Sequence, residues 1–383
     1  MNILYIAHKD PRLKTGGNEL RTNLLWEALK QKGKVYTLVI STTCCNKTIV
    51  VEDNHQICFA NSSSNIQWLR KLTYKIINRL TGIPLLPYTD AINNSLSDFF
   101  PGVQIDVVVC RYIHSFRYYH FWKSYPVLLD IDDHPKQVYD TIISPSLPLF
   151  VRPFAKFLCR IQYRYVFEKI KGGWLANKEQ LVWCKNNVLF LPNIPVFPSD
   201  NYFPESNREE YLFTIGDMAY RPNYLGVNKF ISEIWPSFHR KHPNIKYIIG
   251  GKGASQQMAE KWNSTEGVVY IGFVENLEEI YEKCEAAVVP IYSGGGTCIK
   301  TLEAMAYSRI CLTSPFGVRG IPQKDIINKN GLCVFESAED FNKQYEYIQN
   351  FVVRRNMEDG ANRYVSENYS TEAFICAVNI FFN

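Results

Sequence analysis

Pro290-Ile291-Tyr292-Ser293-Gly294-Gly295-Gly296-Thr297-Cys298-Ile299-Lys300-Thr301-Leu302-Glu303-Ala304-Met305-Ala306 is the stretch from which the fold is read. The apolar run leading into it, Ala286 to Ile291, has the unbroken hydrophobicity of a parallel strand buried on both faces. Three glycines and a threonine then open a segment of helical apolar period. Glycine lets a phosphate approach the backbone closely, and the first N–H groups of a helix are unpaired donors at its positive dipole end. Lys300 adds a mobile cation in the first turn. Glu303, one turn on, can accept hydrogen bonds from the vicinal hydroxyls of a sugar. Phosphate donors, a cation and a diol acceptor in one strand–loop–helix corner suit a nucleotide-diphosphate sugar. Taken alone, the glycines fit a turn into a core helix, with Glu303 solvated, equally well.

The pattern around this corner recurs along the chain. Strand-like runs alternate with helical patterns from end to end, which predicts an α/β protein with parallel sheets. In the first half the strands are expected at Asn2 to Ala7, Val35 to Ile40, Asp106 to Cys110, Pro126 to Asp130, Gly173 to Ala176 and Val188 to Leu191. The pattern restarts at Tyr211 to Gly216 and continues through Ile245 to Gly250, Val268 to Gly272, Ala286 to Ile291, Ile310 to Ser314 and Leu332 to Phe335. Between the halves, Pro192 to Asn201 is a Pro-rich polar stretch that reads as a linker. At 383 residues the chain exceeds the length at which single cores usually split. A composition of 46% apolar and 21% charged residues excludes a disordered or fibrous chain. A net charge of +5 over this length does not by itself indicate nucleic acid. The first residues read as a buried strand, not a secretory signal, and the 11 cysteines lack zinc-ligand spacing. A cytoplasmic protein with reduced thiols is expected.

The whole string from Gly294 to Ala306 is similar to the donor-site motif of family 4 glycosyltransferases (glycosyl transferases group 1), in the variant that reads G-G-G-T, then K, then L-E-A-M-A. The resemblance extends to Gly272-Phe273-Val274 and to Ser314-Pro315-Phe316-Gly317-Val318-Arg319-Gly320; it is strongest over residues 211 to 321 and weaker over 1 to 195. It implies the GT-B fold, with two Rossmann-like doubly wound domains facing a cleft. Residues 1–195 would form the acceptor side, 196–370 the donor domain, and 371–383 a last helix crossing back. It also implies sugar transfer from a nucleotide-diphosphate sugar as co-substrate, of hexosyltransferase type, retaining, with no metal and no further cofactor. In the family the segment matching Gly272, Phe273 and Val274 lines the base, and the glutamate matching Glu303 holds the ribose. Gly294, Gly295, Gly296, Thr297 and Lys300, with Gly216, Arg221 and Asn223 of the Ile215–Asn223 turn, are the expected donor contacts. Two departures stand out. Asp217 and Pro222 occupy places where many members carry an arginine and a lysine, and Gly295 stands where members have the first of two glutamates.

In the first half, Lys14-Thr15-Gly16-Gly17-Asn18 joins the first strand to a helix, Asn18 to Lys32, and Asn18 can cap that helix. In GT-B enzymes this loop faces the donor diphosphate or the acceptor, so Gly16 and Gly17 join the expected donor contacts; a structural Gly-Gly turn is the alternative. Asp130-Ile131-Asp132-Asp133 follows an apolar strand, and clustered acids at a carboxyl edge could serve as a base or bind a metal; a single acid is favoured, with helix capping as the structural alternative. Arg111 and His114 end the preceding strand, where the resemblance implies a basic residue against the reactive sugar; a histidine titrating near neutrality could donate to a leaving phosphate.

Two further segments, Gln67 to Leu80 and Phe150 to Phe167, interleave cations with aromatic and aliphatic residues and contain no acid. Such amphipathic stretches suit an anionic membrane surface or a packed helix with a basic rim. They point to a glycan or polyprenyl-linked acceptor and are compatible with the inner face of a membrane; no nucleic-acid-reading motif accompanies them. The family setting is bacterial surface polysaccharide synthesis. The alternatives are a sugar-nucleotide epimerase of the same fold and a non-catalytic nucleotide-sugar-binding protein.

Overall fold

The computed structural model describes residues 1–13, 17–41, 48–61, 68–83, 99–119, 121–184, 187–198, 208–294, 297–321 and 330–382. The chain divides into two compact units: Met1–Asn193 together with Thr371–Asn383, and Ile194–Ser370.

The first unit is built on strands β1 (Asn2–Ala7), β2 (Lys34–Ser41), β3 (Thr48–Glu52), β4 (His55–Asn61), β5 (Val107–Arg111), β6 (Val127–Asp132), β7 (Gly172–Leu175) and β8 (Val188–Phe190). They form one sheet in the order β3-β4-β2-β1-β5-β6-β7-β8. β3 runs antiparallel to β4, and β4 runs parallel to β2. The β3–β4 hairpin is a correction to the sequence reading, which has no strand between Ile40 and Asp106. Its two-residue turn is Asp53-Asn54, both at positive φ (47° and 66°), the geometry of a primed turn. Asp and Asn tolerate that region, so the hairpin closes without the glycine that usually marks it. The central strands β1 and β5 are apolar and buried almost throughout, as expected for a sheet covered on both faces. The helix Thr371–Asn379 also belongs here. It packs on the helix Gly17–Lys30 with Phe374 and Val378 fully buried, and the Trp174 indole N–H donates to the Ala377 carbonyl at 3.2 Å.

The second unit is an entirely parallel sheet of β9 (Tyr211–Ile215), β10 (Lys246–Gly250), β11 (Val268–Gly272), β12 (Ala286–Val289), β13 (Cys311–Thr313) and β14 (Leu332–Val334), in the order β11-β10-β9-β12-β13-β14. One face is filled by an aromatic cluster of Phe230, Trp235, Phe238, Tyr247 and Phe341.

Both sheets wind outward in opposite directions from a central pair: β1 and β5 in the first unit, β9 and β12 in the second. At such a reversal the two following loops diverge and leave a crevice at the carboxyl ends of the strands, where open α/β sheets bind ligands. The loops leaving β5 and β12 carry residues that the sequence singles out.

Candidate active site

In the second unit, Gly216 directly follows β9, and β12 leads through Pro290 into the loop that reaches Gly294. Gly226, in the helix Arg221–Lys229, lies so close to the Pro290 carbonyl that a Cβ would overlap it, which sets this helix directly against the loop. Gly294 sits at φ +134°, where a side chain is strained, and a Cβ there would come within 3.3 Å of Arg319 Nη2 and 3.5 Å of the Tyr220 hydroxyl. A Cβ on Gly216 would meet the Lys300 Cε and the Asn223 amide nitrogen, each at 2.9 Å. The missing Cβ atoms therefore let two cations, Lys300 and Arg319, close on the backbone at the N-terminus of the helix Ile299–Ala306. Cys298, at the cap position of that helix, reports the field. Burial raises its thiol, yet Arg319, Lys300 and hydrogen bonds with Thr301 outweigh burial and hold it below the ordinary range. The donor-loop corner is electropositive even though Asp217 stands where the family pattern has an arginine.

Other expected donor residues take different parts. Thr297 lies just outside the helix, which begins at Ile299. Glu303 is largely buried, with the same slight exposure as Asp132, and accepts a hydrogen bond from the Tyr281 hydroxyl at 3.1 Å. Burial pushes its carboxyl up to about 7, with Tyr281 and Lys300 pulling the other way. Asn223 is buried and spends its amide on the Asp217 carbonyl at 2.7 Å, fixing the turn, while Arg221 is exposed at the start of its helix. Gly272 ends β11 at φ +74° with open space around it, and Phe273 beyond it is 67% exposed. A core role for Phe273 is thereby excluded, and a planar ring is left free to stack. Val274 folds back, within 2.8 Å of where a Cβ on Gly250 would stand. Gly295 and Gly296 lie outside the described residues.

In the first unit, the carboxyl ends of β1, β5 and β6 hold a buried ionic cluster. Arg21 forks onto Asp130, Nη2 to Oδ1 at 2.7 Å and Nε to Oδ2 at 3.0 Å, and its Nη1 donates to the Leu191 and Pro192 carbonyls and to Asn193. Arg111 pairs with Asp130 at 3.0 Å and with Asp132 at 2.9 Å. Burial raises the Asp132 carboxyl, but Arg111 and Arg21 together bring it below its usual value. The sequence reading sets Arg111 and Asp130 against an acceptor; in the structure both are fully enclosed and spend their charge on each other, on Arg21 and on Asp132. The backbone beside them is strained. Tyr112 (φ 69°) and Asp132 (φ 62°) both occupy the left-handed region, which costs such residues about 1–3 kcal/mol each. The Arg111 guanidinium lies 3.8 Å over the Tyr112 ring, and Asp132 follows a register shift between β6 and β7. Asp132 keeps a slight exposure, and Asp133 more.

His114 sits in the helix Tyr112–Tyr119, not at the strand end, its ring stacked 5.3 Å from that of Tyr112 and tilted against that of His8 at 4.0 Å. Burial, His8 and Arg111 push His114 down to about 3, and burial then Arg111 push His8 down to about 4. Both rings are thereby held neutral near pH 7, unlike the histidine titrating near neutrality that the sequence suggests at His114. Gly17 opens the first helix, so Asn18 lies inside it and not at the cap position the sequence predicts, and Gly16 is outside the described residues. Sequence reasoning assigned no role to Arg21, His8 or Arg319; their only signals were positions in quoted motifs or at a strand end.

These histidines set a pH dependence. The unfolded chain takes up protons near pH 6.5, whereas folded His8, His114 and His134 (pushed to about 3 by burial and Lys136) do not, so their contribution is full above pH 6.5 and is lost as pH falls. Glu303, raised to about 7, acts in the opposite sense and stabilises as pH falls through 7. The rings belong to the first unit and Glu303 to the second, so the first unit is expected to lose about 3 kcal/mol between roughly pH 6.5 and 5.5, a loss the second unit does not share; His55, lowered by burial and Lys30, adds to it in the same sense. The urea midpoint of the first-unit transition measured at those two pH values is expected to fall with acidification; a rise would contradict the burial of the three rings.

By fold the chain is of the GT-B class. Sucrose-phosphate synthase from Thermosynechococcus elongatus superposes with a TM-score of 0.71 at 13% identity, over 100% of this chain and 98% of that one. WaaG, a glycosyltransferase involved in lipopolysaccharide biosynthesis, gives 0.63 at 12% identity over 99% of each chain. Anabaena HepE, solved in complex with UDP, gives 0.63 at 10% identity, covering 100% of this chain and 99% of that one. The family described as glycosyl transferases group 1 matches residues 209–349, within the second unit. No curated protein matches the sequence significantly. Fold and family match together support a glycosyltransferase.

Proposed function

We propose that the chain moves a hexosyl group from a nucleotide-diphosphate sugar to a glycan or polyprenyl-linked acceptor, in bacterial surface polysaccharide assembly at the inner membrane face. The observation that carries this reading is the convergence of Lys300 and Arg319 on the N-terminus of the helix Ile299–Ala306, beside Gly216 and Gly294. That corner offers backbone donors and two cations to a diphosphate. Glu303 takes the ribose hydroxyls, and Phe273 stacks on the base. In the transfer, the bond from the acceptor oxygen to the anomeric carbon forms as the bond from that carbon to the diphosphate oxygen breaks. The diphosphate leaves with the electron pair, and the acceptor's proton passes to it. Lys300, Arg319 and the helix N-terminus stabilise the leaving charge in place of a metal, and the sugar keeps its anomeric configuration. The slightly exposed Asp132, with Asp133 and the neutral His114, orients the acceptor hydroxyl.

The test is a thermal-shift series with UDP, GDP, ADP, CMP and their sugars, on the full chain and on Glu303→Ala. One nucleotide at about 100 times its Kd is expected to stabilise by about 2.7 kcal/mol, a rise of a few degrees, with the response lost in the variant. No response to any nucleotide would overturn the donor-site reading and favour a protein that binds no nucleotide sugar.

A further inference from the structure

The helix Arg152–Lys169 in the first unit buries Ala155, Cys159, Gln162 and Val166. Its opposite side is not covered. Phe150, just before the helix, is 85% exposed, and Phe154, Phe157 and Ile161 are 58%, 59% and 49% exposed. Their spacing of four, three and four residues draws one continuous apolar stripe along the helix. Such a concentration of large exposed apolar side chains marks a docking surface. Beside it, at four-residue intervals, Lys156, Arg160 and Arg164 join Lys136 in lining a cavity of about 520 Å3, whose carboxylates are Asp140 and Glu168. Asp140 is already shared by Lys136 at 3.1 Å and Lys156 at 3.7 Å. Arg160 and Arg164 have no ion-pair partner among the described residues.

A second helix extends the same character. Trp68–Thr81 packs against Arg152–Lys169 and exposes Leu72 and Ile76, one turn apart, with Lys75 and Arg79 exposed alongside. Charge complementarity decides the occupant. A second copy of this chain would bring the same cations against these, and the core of a protein interface is depleted of charge. A surface carrying phosphates at the depth where aromatic side chains enter an acyl layer fits both features. Among the described residues no helix is long and apolar enough to span a membrane, so contact from one side is the geometry available.

We propose that this two-helix face of the first unit seats on an anionic lipid bilayer. Phe150, Phe154, Phe157 and Ile161 enter the acyl boundary, and Arg160 and Arg164 at the cavity mouth hold lipid phosphates. The proposal deepens the membrane-side acceptor reading by naming the surface, and it rests on that reading only for its purpose.

The test is flotation of the full chain with vesicles of phosphatidylcholine alone and of phosphatidylcholine with about one third phosphatidylglycerol, at low and high salt. The chain is expected on the anionic vesicles, with binding weakened by salt. Phe150→Asp with Phe157→Asp, and separately Arg160→Glu with Arg164→Glu, are each expected to weaken binding at least about tenfold. All substituted side chains are exposed, so thermal melting and the nucleotide response should remain as in the parent. Equal partition on neutral and anionic vesicles, unchanged binding in both variants, or conversion of a dimer to a monomer by the Phe variant would each overturn the proposal. Vesicle binding is read without donor or acceptor. A chain that floats but ignores every nucleotide therefore sinks the transfer reading and leaves this one standing, and the reverse result does the opposite.

Discussion

Asp130→Ala is expected to cost the first unit about 3–5 kcal/mol of folding stability. The magnitude follows from what the substitution leaves behind. Arg21 and Arg111 are both buried, and both direct guanidinium nitrogens at the Asp130 carboxylate. With that carboxylate gone, two cations compete for Asp132, whose nearest approach to Arg21 is 4.0 Å. Arg21 keeps its carbonyl partners at Leu191 and Pro192, so its hydrogen bonds are partly satisfied while its charge is not. A buried charge stripped of its partner is far costlier than a well-packed apolar replacement of the whole pair. Loss of the clamp on Arg111 also releases the support under Tyr112, whose left-handed backbone no longer has its guanidinium platform. Because the chain forms two units, urea unfolding is expected to show the first-unit transition displaced and the second-unit transition unmoved. A joint replacement of Arg21, Arg111, Asp130 and Asp132 by apolar residues of similar volume should recover part of the loss. A cost below about 1 kcal/mol for Asp130→Ala would show that the cluster carries little of the unit's stability.

Much of this architecture was legible because parallel strands buried on two faces leave continuous apolar runs. Asn2–Ala7 and the opening residues of Val127–Asp132 stand out against the amphipathic helices between them. The β3–β4 hairpin was not legible, since its turn uses Asp53-Asn54 in place of a glycine. At the candidate site, the sequence pointed to the corner but not to the contacts within it. Lys300 lies on the contiguous motif, whereas Arg319 comes from a separate segment, and only the structure sets it against Gly294 and, with Lys300, close enough to lower the Cys298 thiol. The acids of Asp130-Ile131-Asp132-Asp133 read as a functional group because the sequence cannot show that Arg21, 109 positions away, neutralises the first of them. Histidine charge state was illegible for the same reason: composition gives a ring that titrates near neutrality, whereas burial, with His8 and Arg111 adding to it, lowers His114. Contacts between distant segments, rather than residue types, decided which named residues are enclosed and which keep an exposed surface.

Lys300→Met is expected to lower kcat for sugar transfer by about 10²–10³, with a smaller change in KM for the donor. The split follows from the charge developing at the leaving group. A diphosphate already anionic in the ground state gains further negative charge on the bridging oxygen as the glycosyl bond breaks, so a cation beside that oxygen contributes more to the transition state than to binding. Lys300 suits that role because its stem passes against Gly216 while its position in the first helical turn adds to the helix dipole. Arg319 is held differently. Its Nη1 donates to the Phe316 carbonyl at 3.0 Å and its plane lies 4.6 Å over the Phe316 ring, so it is fixed before any ligand arrives. Its loss, in Arg319→Met, is expected to raise KM more than Lys300→Met does, since a preset guanidinium binds ground state and transition state alike. Steady-state transfer with the nucleotide sugar chosen by the thermal-shift series separates the two. Equal kcat in the parent and in Lys300→Met would remove Lys300 from leaving-group stabilisation. A loss confined to kcat in both variants would make the pair one electrostatic unit, whose effects then fall short of adding in the double variant.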